Sequence, residues 1–88
     1  MKLLLAIVRD PDSQAMLPDL LSHEFRVTRI ASTGGWLRQG NTTFLIGVED
    51  DQVEQAMGVI AKNSSPPPNA EAGRTTVFVL GNVRYQQL

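Results

Sequence analysis

The chain has 88 residues, 42% of them hydrophobic, and a formal net charge of −1 at neutral pH. A chain of this length makes one domain, residues 1–88, with a modest core, because so short a polypeptide buries only about 60% of its unfolded surface. The balanced charge excludes a global basic field for nucleic acid or an anionic membrane, and the absence of cysteine excludes disulfides, thiolate catalysis and thiolate metal sites.

The opening stretch, MKLLLAIVRD, carries a short apolar run at residues 3–8 that Arg9 and Asp10 close at once. The run is too short for a signal core or for the roughly 20 apolar residues of a membrane span, so a buried strand and a cytoplasmic location are expected. DPDS then offers helix-start chemistry, with Pro11 and with Asp12 or Ser13 as N-cap. Across residues 13–23, Met16, Leu17, Leu20 and Leu21 fall on one helical face. Pro18 removes a mid-helix hydrogen bond, so a bent or late-starting helix is expected.

Residues 25–32, FRVTRIAS, alternate and predict a strand, with Phe25, Val27, Arg29 and Ala31 on one face and Arg26, Thr28, Ile30 and Ser32 on the other. A glycine-rich stretch, TGGWLRQGNTT, leads into TFLIGV, a third strand. EDDQVEQAMGVIAK, residues 49–62, predicts a helix with acidic residues at its positive end and a stripe of Val53, Met57 and Ile60. NSSPPPNAEAG, residues 63–73, is a loop by composition. RTTVFVLGNV reads as the fourth strand and RYQQL as a short tail.

The order strand, helix, strand, strand, helix, strand is the ferredoxin-like βαββαβ pattern: an α+β fold with a four-stranded antiparallel sheet and two helices on one face. Strands one, three and four are apolar on both faces, whereas a sheet half-exposed to water should alternate. Two short helices cover one face, so the other is expected to meet another copy of the chain.

Enzymatic constellations are scarce. His23, the only histidine, falls at the end of the first helix, where it suits the negative end of the dipole. The acidic group Glu49, Asp50, Asp51 and Glu54 stands at a helix start, which favours dipole partners over a metal site. No nucleophile stands beside a base, so no catalytic residue, no metal and no cofactor is assigned, and the protein is expected not to be an enzyme. The glycine-rich stretch is different in kind. Gly34 and Gly35 admit close backbone approach, Trp36 offers a flat stacking surface, Arg38 or Arg26 suits a phosphate, and Asn41, Thr42 and Thr43 carry donors and acceptors. A plain hairpin needs the same glycines, so composition leaves the binding loop and the hairpin both open.

MKLLLAIVRDPDSQ, FRVTRIASTGGWLRQGNTTFLIGV and TTVFVL resemble, in order and spacing, the PII-like cyclic di-AMP receptor family, whose members carry a close equivalent of TGGFLRxGNTTF at the same place. The resemblance covers residues 1 to about 62 and 74 to 88. It implies a ferredoxin-like subunit in a homotrimer, with sheets at the centre and the dinucleotide in clefts between subunits. Arg26, Thr28, Gly35, Trp36, Leu37, Asn41 and Phe78 match family ligand contacts, and Gln87 resembles the glutamine that closes the pocket. Two departures stand out: Glu24 where the family commonly has asparagine, and a short 63–73 link where the family has a long loop. A carboxylate near a phosphodiester repels it.

The expected function is thus a non-enzymatic signalling protein that binds cyclic di-AMP or a related adenine nucleotide. The alternatives are a PII-like sensor of ATP, ADP or cyclic AMP, and a trimeric module that acts on an unidentified protein target without a small molecule. No nucleic-acid or membrane partner is expected.

Overall fold

The computed structural model describes residues 1–30, 40–66, 75–81, 84 and 86. Its elements are β1 (Lys2–Arg9), α1 (Asp10–Ser22), β2 (Arg26–Ile30), β3 (Asn41–Val48), a 3-10 turn (Asp50–Gln52), α2 (Val53–Lys62) and β4 (Thr76–Leu80). The strands form one antiparallel sheet in the order β2-β3-β1-β4. This is the ferredoxin-like arrangement expected from the order of elements.

Alternation along the strands decides which side chains meet the helices. Leu4, Ala6 and Val8 of β1 and Phe44, Ile46 and Val48 of β3 are buried on one face, against Met16 and Leu20 of α1 and Ala56, Val59 and Ile60 of α2. Phe25 is buried and Val27 packs at the margin of this core, as the alternation of residues 25–32 requires.

The first helix begins at Asp10, earlier than the expected cap at Asp12 or Ser13. Arg9, still extended, is the N-cap, and Pro11 occupies the first turn, where its missing N–H is no loss. Ser13 instead donates to the Asp10 carbonyl (2.7 Å), and Asp12 is committed elsewhere. Its nearly buried carboxylate accepts the backbone N–H of Ser65 (3.0 Å) and the Ser65 hydroxyl (2.7 Å), 53 residues away. Arg9 Nη1 donates to the Pro66 carbonyl (3.3 Å), so the chain leaving α2 is fastened to both β1 and α1. Pro18 lies inside α1, which continues to Ser22.

The helix expected over residues 49–62 divides into the 3-10 turn and α2. Glu49 and Gln52 form a reciprocal capping box there, with the Glu49 N–H donating to Gln52 Oε1 (2.9 Å). The buried stripe of α2 is Ala56, Val59 and Ile60, while Val53 and Met57 pack at its margin. The two helices are joined at their C-terminal ends. Asn63 Nδ2 donates to Asp19 Oδ2 (2.9 Å), and Lys62 Nζ (3.6 Å) and His23 Nε2 (3.7 Å) lie beside the same carboxylate. His23 is the C-cap residue of α1, stacked on Phe25 with ring centroids 5.7 Å apart.

After His23 the chain turns sharply. Glu24 adopts φ 63°, a left-handed conformation, and its N–H donates to the Leu21 carbonyl (3.0 Å). A residue just past a helix end takes this conformation to close the last turn, and glycine or asparagine is the usual occupant. The asparagine common in the resembling family suits this backbone as well as any ligand. Glu24 meets the geometry at a conformational cost.

Candidate functional site

The face of the sheet opposite the helices is laid out by register. Arg26 pairs with Gly47, Gly47 with Leu3, and Leu3 with Leu80; in the next row Thr28, Leu45, Leu5 and Phe78 stand in line. The apolar members of these rows have no helix above them. Leu3, Leu5 and Leu45 are half-buried, and Phe78 and Leu80 are 53% and 46% exposed. Exposed large apolar residues grouped on one face of a small domain mark a contact surface.

At the β2 end of this face lies a cavity of about 230 Å³. Its floor is Leu3, Leu45 and Gly47; Arg26 and Thr28 stand on one wall, and Met1 and Arg84 complete it. Gly47 leaves this part of the floor without a side chain; a Cβ there would make only ordinary contacts, 3.6 Å from the Arg26 Cβ and 3.7 Å from the Met1 Cε. Among the described residues, none that lines it is acidic. The Met1 ammonium lies 3.5 Å from Asp50 Oδ1, so its charge is partly answered outside the cavity. What remains is two guanidinium groups, a threonine hydroxyl and an apolar floor. That combination suits a phosphate attached to a flat or sugar-bearing body.

The structure brings Arg26 and Thr28 together on one exposed strand face, as the alternation predicts. It does not bring Phe78 to them. Thr28 and Phe78 occupy the two outer strands, three strand spacings or about 14 Å apart. Asn41 begins β3 opposite Arg9, half-buried and on the same face, but four residues from Leu45, about 14 Å along the strand. Gly35, Trp36, Leu37 and Gln87 lie outside the described residues. Thr43, between Ile30 and Ile7 in register, is fully buried, and its hydroxyl has no hydrogen-bond partner among the described residues.

Sequence reasoning missed Gly47 and Arg84. Gly47 is a strand-interior glycine, a known signal of close approach by a ligand or another chain. Arg84 has no such signal, yet it lines the cavity with Arg26. Glu24 is exposed and does not line the cavity.

A larger hollow, about 510 Å³, opens between α1 and β3, with Asp10, Leu17, Leu21 and Arg29 among its walls. Asp10 Oδ1 there accepts the Thr42 hydroxyl (2.5 Å), and the walls carry this carboxylate as well as Arg29, so the hollow has no cationic lining to select an anion. The smaller cavity, which gathers Arg26, Arg84 and Thr28 over an apolar floor, is the better candidate. Among the described residues no three His, Asp or Glu side chains gather as a metal site, and no helix is long and apolar enough to cross a membrane.

A family model described as cyclic-di-AMP receptor matches residues 1–69. Among solved structures, the crystal structure of a functionally unknown protein from Pediococcus pentosaceus ATCC 25745 superposes with a TM-score of 0.76 at 30% identity. The match covers 99% of this chain and 96% of that one.

Proposed function

We propose, from the premise that this chain belongs to the cyclic-di-AMP receptor family, that it is a signalling protein without catalysis that binds cyclic di-AMP between subunits of a PII-like homotrimer in the cytoplasm. One observation carries the reading. Arg26 and Thr28 share a cationic cavity at one edge of an exposed apolar face, while Phe78 stands at the opposite edge of that face. Within one chain the two edges cannot grip one ligand. When the apolar faces pack around a threefold axis, the β2 edge of one subunit approaches the β4 edge of the next. A cavity of about 230 Å³ is also below the roughly 300–1,000 Å³ of complete small-molecule pockets, as expected of a partial site.

The guanidinium of Arg26 would pair with a phosphodiester and Thr28 would donate to it, while Phe78 of a neighbouring copy would stack on an adenine. Occupancy would then be read out by the assembly and passed to a protein target.

The test is a thermal-stability titration with cyclic di-AMP, cyclic di-GMP, ATP, ADP and cyclic AMP, since a ligand that binds the folded state raises its melting temperature. Cyclic di-AMP is expected to give the largest rise. Arg26→Ala is expected to abolish that rise and to leave the trimer intact by sedimentation. A rise with a mononucleotide alone reassigns the ligand, and no rise at millimolar concentration refutes the sensor reading.

A further inference from the structure

We infer that the hollow between α1 and β3 is a second ligand site, built for a small zwitterionic amino acid with an apolar side chain. It lies on the helix side of the sheet, whereas the cavity at Arg26 opens on the other side. It therefore does not depend on the proposed nucleotide site.

The volume of the hollow, about 510 Å³, falls within the roughly 300–1,000 Å³ of complete small-molecule pockets. Its floor is apolar: Phe44 is fully buried, Leu17 is half-buried, and Leu21 remains 51% exposed. A large apolar side chain left so exposed beside a hollow is surface that a ligand can cover.

Two opposite charges stand over this floor without meeting. Thr42 and Phe44 share the helix face of β3, and Arg29 pairs with Phe44 on the neighbouring strand. Thr42 and Arg29 are therefore diagonal neighbours, about 7–8 Å apart at the backbone. The Asp10 carboxylate is held at Thr42, whose hydroxyl donates to Oδ1, and the Asp10 N–H donates to the Gly40 carbonyl (2.8 Å). The Arg29 guanidinium forms no hydrogen bond or ion pair among the described residues, with Asp10 or with any other. A third polar group comes from the helix backbone. Pro18 has no N–H, so the Gln14 carbonyl four residues earlier lacks its helical donor, and both residues line the hollow.

The ligand chemistry follows from this spacing. A carboxylate and a carbonyl accept from an ammonium, and a guanidinium donates as a fork to a carboxylate. An amino acid carries both charges on one carbon, and its head group with a hydrogen bond of about 2.9 Å at each end bridges a gap of this order. A lone anion would meet the Asp10 carboxylate, and a lone cation the guanidinium, so neither is favoured alone. The apolar side chain of the amino acid would lie on Leu17, Leu21 and Phe44.

The experiment follows backbone amide NMR shifts of the full chain during titration with L-leucine, L-methionine and L-phenylalanine at millimolar concentration. Each is paired with its carboxamide, which keeps only the ammonium, and its deaminated acid, which keeps only the carboxylate. The expected result is a saturable change for at least one amino acid, centred on Gln14, Leu17, Leu21 and Arg29. Both analogues of that amino acid should bind about tenfold more weakly or worse, since each leaves one charged group of the hollow unpaired. Arg29→Gln should lose about tenfold in affinity at an unchanged ligand-free melting temperature. No saturable change with any of the three overturns the inference, as does a change centred on the cavity at Arg26. An analogue that binds as tightly as its parent also overturns it, because one charge then suffices. Equal affinity in Arg29→Gln and the unsubstituted protein does the same. If that variant melts at a lower temperature, the analogue series on the unsubstituted protein decides.

Discussion

Replacing Glu24 by glycine should stabilise the protein. Glu24 sits at φ 63° just beyond α1, is exposed, and contributes its N–H to the Leu21 carbonyl (3.0 Å), a bond that any residue can make. A left-handed conformation costs a side-chain-bearing residue roughly 1–2 kcal/mol. Glycine removes that cost but loses about 0.4–1 kcal/mol through the greater freedom of the unfolded chain. The difference leaves about 0.5–1 kcal/mol in favour of Glu24→Gly, with Glu24→Asn in between. For a domain of this size, 1 kcal/mol moves the melting temperature by about 4–8 °C, so a rise of about 2–8 °C is expected. Urea denaturation at several protein concentrations separates this gain from any change in association. Glu24→Gln is the control for charge: it removes the carboxylate, keeps the backbone cost, and should leave stability unchanged. A lower urea midpoint for Glu24→Gly, or a gain of the same size for Glu24→Gln, would refute the conformational argument. The same three proteins address the ligand, because Glu24→Gln raises nucleotide affinity only if the carboxylate acts on the phosphodiester.

Thr43→Val should raise ligand-free stability by about 1 kcal/mol, because it removes a buried hydroxyl that has no partner among the described residues; a loss in thermal denaturation would show that the hydroxyl is bonded. Asp19 predicts a pH effect. The Asn63 amide, foremost, and then the nearby Lys62 and His23 hold its carboxyl below the ordinary aspartate value, against an opposing contribution from burial. A folded-state value below the unfolded one means that the stabilisation is complete above the ordinary value and is lost as pH falls through the folded one. Acid titration of stability below about pH 4 should therefore be shallower for Asp19→Asn, and an unchanged slope would remove Asp19 from the account.

The layers of the fold were legible because alternation carries them. Phe25 and Val27 fall inward and Arg26 and Thr28 outward by period alone, and that period also put Arg26 and Thr28 in one cavity. The start of α1 was not legible, because Asp12 looked like a local cap and is in fact held by Ser65, a contact that no window of sequence contains. The separation of Thr28 from Phe78 depends on sheet order and register, not on either residue's neighbours. Arg84 was hidden for the same reason. Its five-residue tail, RYQQL, has no pattern of its own.

The double hold of Asp12 on Ser65, with Arg9 on Pro66, also has a meaning for chain length. Those bonds fasten one end of the proline-rich connection, and the pairing of Thr76 with Ile7 fastens the other. Between two such fixed points the number of residues becomes a nearly free variable. Doubling a flexible connection costs only about 0.6 kcal/mol of closure entropy. The sheet, the helices and the cavity at Arg26 can therefore be kept while this connection is lengthened, exchanged or used to carry an inserted sequence. Length at this one place can be selected for what the added residues do, almost independently of whether the domain folds.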